Sequence, residues 1–218
     1  MAAGILLLPA AGAQEWRPLF NGKNLDGWEV HGDGIWTVMP GGTLVGQRKL
    51  QWPKDFPFPL TREFYQRWFW TQSWLYTVEE FDQFDLRLDW WLPAHGNSGV
   101  SIRDSSRGKY AARETEESGP TPAHIGYEIQ IATGVEAGTP TGSIYSLVKA
   151  KGGQQREFDW NRLDIESRRD AIRVRLNGRL VAEHPGLPER PKTGPIGLQL
   201  HDQHSVVMFR DIQIRVIE

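Results

Sequence analysis

The 218-residue chain has no cysteine. Disulfides, thiolate nucleophiles, thiolate-bound zinc and iron–sulfur clusters are thereby excluded, so any site must be built from carboxylate, imidazole, amide, guanidinium or backbone groups. An excess of one charge is missing as well. Against 27 Asp+Glu stand 25 Lys+Arg, a formal net charge of -2, so no basic field gathers phosphate backbones or anionic lipid, and a nucleic-acid partner is not expected. No stretch approaches the about 20 consecutive apolar residues of a membrane-crossing helix. Internal repeats, a linker, a Gly-rich phosphate loop and a nucleophile elbow are all absent. No window keeps apolar residues at i, i+3, i+4 and i+7 over three turns.

What the chain has in quantity is glycine, proline and tryptophan, with 23 Gly, 14 Pro and 10 Trp. Turns and aromatic surfaces follow. Hydrophobic residues make up 39%, a normal globular share that supplies a full core. Near the start, the apolar run Ile5-Leu6-Leu7-Leu8, then Pro9 and the small residues Ala11-Gly12-Ala13, read as the end of a signal peptide. Residues 1–13 are therefore expected to be a leader remnant and the protein to be exported. Residues 14–218 then form one domain, a length within the range of a single β-sandwich.

Apolar residues alternate with polar ones in many short runs bounded by Gly, Pro and Asn, the signature of strands. Strands are expected at 36–39, 43–45, 84–92, 99–103, 127–131, 162–167, 171–176, 179–183, 197–201 and 206–216. Ten strands imply an all-β fold of two sheets. Asn177-Gly178, between Ile172/Val174/Leu176 and Leu180, predicts a type I′ hairpin, because this pair supplies both positive φ angles. Two segments break the rhythm. Residues 48–76 carry Trp52, Trp68, Trp70 and Trp74 and contain a predicted helix over 60–70 with Thr61 as its N-cap. This reads as an aromatic insertion covering the sandwich, with Trp74 and Trp70 the residues placed to meet a ligand. Residues 104–123 are polar and aperiodic, a long loop of the kind that often carries function.

The same alternation sorts polar groups. In Tyr127-Glu128-Ile129-Gln130-Ile131, Glu128 and Gln130 share one face and the apolar residues the other. Gln199 and His201 stand apart from Leu198 and Leu200 in the same way, and Ser101 and Arg103 apart from Val100 and Ile102. If these strands share a sheet, Arg103, Glu128, Gln130, Gln199 and His201 line one surface, with one group that titrates near neutral pH. Solvated sheet faces are common in antiparallel proteins. The mixture of amide, imidazole, guanidinium and carboxylate beside tryptophan, however, is suited to carbohydrate, since aromatic rings stack on pyranose C–H faces and planar polar groups bind vicinal hydroxyls. His31, His95 and His184 sit beside Gly or Pro, and His124 lies two residues from Pro122 and Gly126; all four read as solvated loop imidazoles.

An ordered set of motifs carries a family resemblance. It comprises Leu19-Phe20-Asn21-Gly22-Lys23-Asn24-Leu25-Asp26-Gly27-Trp28, Phe84-Asp85-Leu86-Arg87-Leu88, Gly96-Asn97-Ser98-Gly99-Val100, Thr141-Gly142-Ser143-Ile144-Tyr145, Trp160-Asn161-Arg162 and Phe209-Arg210-Asp211-Ile212, together with the polar strands above. From about residue 16 to the C-terminus the chain resembles the 3-keto-disaccharide hydrolase domain. The resemblance implies a concanavalin A-like or laminin-G-like jelly-roll β-sandwich, an exported bacterial protein of the periplasm or extracellular space, and cleavage of glycosides already oxidised at C3. It also implies a partner sugar oxidoreductase that makes the keto-sugar. Its Asn-Ser-Gly strand with an arginine falls on Asn97, Ser98, Gly99 and Arg103, its Tyr-Glu-x-Gln strand on Tyr127, Glu128 and Gln130, and its Leu-Gln-x-His strand on Gln199 and His201. This chain departs from the family where Ala132-Thr133-Gly134 replace acidic residues, in the longer segment before Trp74, and after His201, where Asp202-Gln203-His204 follow instead of glycine.

A C3 ketone acidifies the neighbouring C2–H, so such a reaction needs a base, a donor for the enolate oxygen and an acid for the leaving oxygen. His201 fits the base, Arg103 the enolate donor and Glu128 the acid, with the roles of His201 and Glu128 exchangeable. Asn97, Ser98, Gln130, Tyr145, Gln199 and Trp74 are then expected to bind substrate. Glu128 with His201 also offers a carboxylate–imidazole pair that suits a divalent metal. Two other readings stand beside this one. A non-catalytic carbohydrate-binding module uses the same sandwich and the same side chains. An ordinary sandwich glycosidase needs two carboxylates across the scissile bond, and the position two residues after Glu128 is the amide Gln130.

Overall fold

The alternating runs pair into antiparallel sheets because each has one apolar side to bury and one polar side that tolerates exposure. The computed structural model describes residues 15–49, 54, 57–111, 121–134 and 138–218. The leader expected at 1–13, and parts of the aromatic segment and of the 104–123 loop, lie outside the described residues. In chain order β1 (Arg17–Pro18), β2 (Trp28–His31), β3 (Gly34–Met39) and β4 (Thr43–Arg48) precede α1 (Arg62–Phe69). Next come β5 (Ser73–Thr77), β6 (Gln83–Trp91), β7 (Asn97–Ile102), α2 (Pro122–Ile125) and β8 (Tyr127–Ala132). The chain ends with β9 (Asn161–Arg168), β10 (Ala171–Leu176), β11 (Arg179–His184), β12 (Ile196–Leu200) and β13 (Val206–Ile217).

Every expected strand is present, and the larger sheet runs β11-β10-β9-β6-β13-β4-β3 with β1 beside β13. The smaller sheet runs β2-β5-β12-β7-β8. Their apolar faces meet in one core. Leu86, Leu88, Leu163, Ile165, Val174 and Phe209 of the larger sheet join Val100, Ile102, Ile129, Ile131, Leu198 and Leu200 of the smaller one. This is the expected all-β sandwich. Three strands escaped the sequence pattern, and β5 shows why: all five of its residues are buried. Both sides of β5 are covered, so its sequence Ser-Trp-Leu-Tyr-Thr carries no polar side to reveal the period.

Local signals that depend on backbone chemistry hold. Thr61 caps α1, its side chain accepting the Phe64 N–H at 3.2 Å. Leu176 pairs directly with Arg179, and the two residues between them, Asn177 and Gly178, have φ of 50° and 82°. A Cβ on Gly178 would meet no atom within 4 Å, so the only penalty for a side chain there is the left-handed backbone. Gly178→Ala is expected to lower unfolding stability by about 1 kcal/mol, read from urea denaturation. A variant as stable as wild type would show that the turn does not need its glycine.

Candidate active site

Register builds the site on the outer face of the smaller sheet. Ser101 lies across from Glu128 and from Gly197, and Gly99 across from Gln130. Gln199 lies across from Trp74. Period two therefore puts Glu128, Gln130, Ser101, Gly197, Gln199, Trp74 and Tyr76 on one side of the sheet. Over β5 that side is closed. Trp74 and Tyr76 stack with centroids 5.6 Å apart, and the Tyr76 hydroxyl donates to Asp104 Oδ2 at 2.5 Å. The same oxygen accepts the Gly108 N–H at 2.8 Å. Gly108 has φ +68°, and a Cβ there would stand 3.0 Å from Trp74 Cδ1, so glycine lets this turn lie directly on the two rings.

Over β12, β7 and β8 the face stays open as a cavity of about 370 Å³, within the range of small-ligand sites. Asn97, Glu128, Gln130, Gln199 and His201 line it, with Gln72, Tyr145, Thr121, His124 and Thr139 around them. Gly99 forms the middle of the floor. A Cβ there would approach Glu128 Oε1 to 2.7 Å and Gln199 Oε1 to 3.2 Å, so its absence lets both side chains fold over the backbone. Residues 142–145 extend the free edge of β8, with Gln130 N–H donating to Ser143 O (2.9 Å) and Tyr145 N–H to Glu128 O (2.8 Å). This pairing holds Tyr145 at the rim. On the same side Thr121 precedes α2, and its Oγ1 lies 2.8 Å from His124 Nδ1.

Electrostatics single out Glu128. It is 5% exposed, and burial raises its pKa from 4.5 to about 8, with the nearby Gln199 amide opposing the rise. The carboxyl is thus mostly protonated at pH 7. The Gln199 amide lies buried against the Glu128 carboxyl, and the Ser101 hydroxyl lies buried against Tyr76. A buried amide and a buried hydroxyl beside one buried acid give the cavity a polar floor. Gln130 Nε2, by contrast, donates to Asn97 Oδ1 at 2.7 Å, which fixes both amides in the wall. His201 lies at the end of β12, its Nδ1 3.2 Å from Asp202 Oδ2 and its ring edge-on to Trp70 at 5.3 Å.

The structure brings together His201, Glu128, Asn97, Gln130, Gln199 and Tyr145 as expected, and removes three other expected residues from the site. Arg103 is fully buried, and its Nη2 donates to the Asp82 carbonyl (3.2 Å) and the Arg168 carbonyl (2.9 Å). Its φ of +61° turns the chain out of the strand, so alternation ends at Ile102 and Arg103 ties loops together instead of facing substrate. Gly126 and Gly194 are packed against this turn; a Cβ on either would fall within 2.7 Å of the backbone at residues 102–104. Ser98 is fully buried and donates its hydroxyl to the Gln199 carbonyl at 2.8 Å, which places it on the core side between Asn97 and Gly99. Trp74 is fully buried beneath the 104–111 turn.

His124 is the reverse case, since it lines the cavity rather than lying free in a loop. Thr121-Pro122, a cap residue before a proline, was the available signal for a helix start there. Nothing in the sequence pattern pointed to Gln72 or Thr139. Glu128 and His201 both reach the cavity, yet no three His, Asp or Glu side chains converge to hold a metal ion among the described residues.

Residues 15–215 match the family described as the 3-keto-alpha-glucoside-1,2-lyase-like domain. The chain belongs to this family. Its members act on carbohydrate, in keeping with the polar cavity. The fold is similar to those of two candidate glycosyl hydrolases from Parabacteroides distasonis. One is 20% identical with a TM-score of 0.69, covering 93% of this chain and 94% of that one. The other is 23% identical with a TM-score of 0.65, covering 93% and 100%. The carbohydrate-binding module CBM66 from Bacillus subtilis shares the sandwich at 14% identity and a TM-score of 0.55, over 87% and 95% of the two chains. No curated protein sequence matches the chain.

The buried acid couples folding to pH. The folded chain keeps the Glu128 proton up to about pH 8, whereas the unfolded chain releases it near 4.5. Folding therefore takes up a proton across that window, and stability falls as pH rises through it, by at most about 1.4 kcal/mol per pH unit. Glu128→Gln removes this term. Chemical denaturation at several pH values is expected to show the variant gaining on wild type from pH 5 to 8, and parallel profiles would mean that the carboxyl is not held neutral.

Proposed function

We propose that the protein cleaves glycosides whose sugar carries a ketone at C3, by loss of the C2 proton, expulsion of the C1 aglycone and addition of water. The observation that carries this reading is the cavity's single acid. Among the described lining residues Glu128 is the only carboxyl group, it is neutral at pH 7, and it shares the cavity with His201. A pair of carboxylates, which direct glycoside hydrolysis requires, is missing from that lining.

In this scheme His201 takes the C2 proton, and the C–H electrons form the C2–C3 double bond while charge gathers on the C3 oxygen. The Gln199 amide, buried beside Glu128, is the donor at hand for that oxygen in place of Arg103. When the enolate collapses, the C1–O bond breaks and the aglycone oxygen takes the Glu128 proton. Water then adds across the resulting C1–C2 double bond, its hydroxyl going to C1 and a proton from His201 returning to C2, while Glu128 recovers its own proton from the water. Asn97, Gln130 and Tyr145 are placed to hold hydroxyls and fix the ring. The keto-substrate implies a partner oxidoreductase acting on a sugar C3 hydroxyl. The leader pattern at residues 1–13 supports export from a bacterial cell to the periplasm or beyond.

Aglycone release from a 3-keto-glucoside is the direct test. His201→Ala and Glu128→Ala are each expected to lower kcat/KM by on the order of 10²-fold or more, and undiminished rates in both would remove the assignment. Because the acid must carry its proton, kcat/KM is expected to decline as pH rises past about 8. Binding of unmodified glycans with no turnover of keto-sugars would instead identify a binding module. Loss of activity on chelation, restored by a divalent ion, would move the enolate-stabilising role from Gln199 to a metal.

A further inference from the structure

The geometry of the residue after His201 gives it a task. Asp202 Oδ1 accepts the His204 N–H at 2.8 Å and the Ser205 hydroxyl at 3.3 Å, while the Asp202 N–H donates to Ser205 Oγ at 2.9 Å. These bonds close a turn that holds the carboxylate without help from the imidazole. Oδ2 is left to face His201 Nδ1. A carboxylate can only accept, so the ring must present Nδ1–H to it, and a neutral ring then has its lone pair on Nε2.

Other groups keep Asp202 ionised and the ring in place. Burial by itself would raise the Asp202 pKa, but the bonds from His201, the His204 N–H and Ser205 outweigh it and leave the carboxyl below its ordinary range. The positive charge of Arg48 lies within electrostatic reach of Asp202. Arg48 itself is anchored by an ion pair with Asp33 and by donating Nη1 to the Thr71 carbonyl at 2.7 Å. On its other side the His201 ring abuts Trp70, the C-cap of α1. That end of the helix is bound to the 201–205 turn by the Gln203 N–H on the Phe69 carbonyl at 3.0 Å.

We propose that Asp202 is the positioning residue of the site: it fixes His201 in the Nδ1–H tautomer, so that Nε2 is the nitrogen free to accept a proton. The proposal rests on the reading of His201 as the base, and it gives the aromatic insertion a purpose, since Trp70 packs on the imidazole and Arg48 sets a positive charge near the carboxylate.

The tautomer can be read without any substrate. In protein labelled with 15N-histidine, at a pH where the ring is neutral, long-range proton–nitrogen correlations distinguish protonated from unprotonated ring nitrogens. His201→Gln identifies the signals that belong to this ring. Wild type is expected to carry its proton on Nδ1. Asp202→Asn keeps an oxygen for His204 and Ser205 but can turn an amide N–H toward the ring, so the proton is expected to move to Nε2. On a 3-keto-glucoside kcat is then expected to fall by on the order of 10²- to 10⁴-fold, with KM changed less than about threefold. An Nε2–H tautomer in wild type overturns the proposal even if the variant fails to fold. A folded variant that keeps the wild-type tautomer overturns it as well, whatever its rate. If wild type shows the expected tautomer but turns over no keto-sugar, the proposed reaction fails while the positioning of His201 by Asp202 stands.

Discussion

Desolvation of the Glu128 carboxyl is the constraint on which the site depends. A carboxyl is kept neutral at pH 7 only when water is removed and no cation replaces it. Several features of the smaller sheet meet those conditions together. Gly99 leaves space for the side chain to lie down on the backbone, the 142–145 segment covers the edge of β8, and α2 with Tyr145 walls the outer side. The withdrawal of Arg103 into the loops beneath belongs to the same logic. A guanidinium beside Glu128 would ionise it and abolish the acid.

The two outer faces of the sandwich make an instructive contrast. On the larger sheet, buried Asp85 is paired with both Arg168 and Arg215, and Asp89 with Arg162. Those charges satisfy one another and leave little for a ligand. On the smaller sheet no cation faces Glu128, and the Gln199 amide lies beside it instead. Charge pairs stabilise a fold, whereas an uncharged polar floor offers hydrogen bonds that a hydroxyl-rich ligand can exchange.

Most of the sandwich was legible because burial on one side only leaves a period of two in the sequence, and the cluster of Glu128, Gln130, Gln199 and His201 followed from that period alone. The errors have equally physical causes. Alternation carried through to Arg103 runs one residue too far, past a backbone turn that a non-glycine residue seldom makes. The motif groups Ser98 with Asn97 and Gly99, although successive strand residues face opposite ways and Ser98 faces the core. Trp74 was hidden by a covering turn that contact chemistry, not periodicity, puts in place. His124 sits on a four-residue helix, too short to show any pattern, and its approach to the cavity is fixed by packing against β8 and by contacts with Thr121 and Tyr145.

The turn at residues 104–111 also sets the shape of what can enter. Five strands could support a trough running crosswise over the whole sheet, the arrangement that lets a polymer pass through. Sealing the β5 side leaves three, a floor about 10 Å wide at ordinary strand spacing. Such a bay has an end wall. On the function proposed above, it fits the terminus of a saccharide better than its middle, and a long chain would have to be presented tip first.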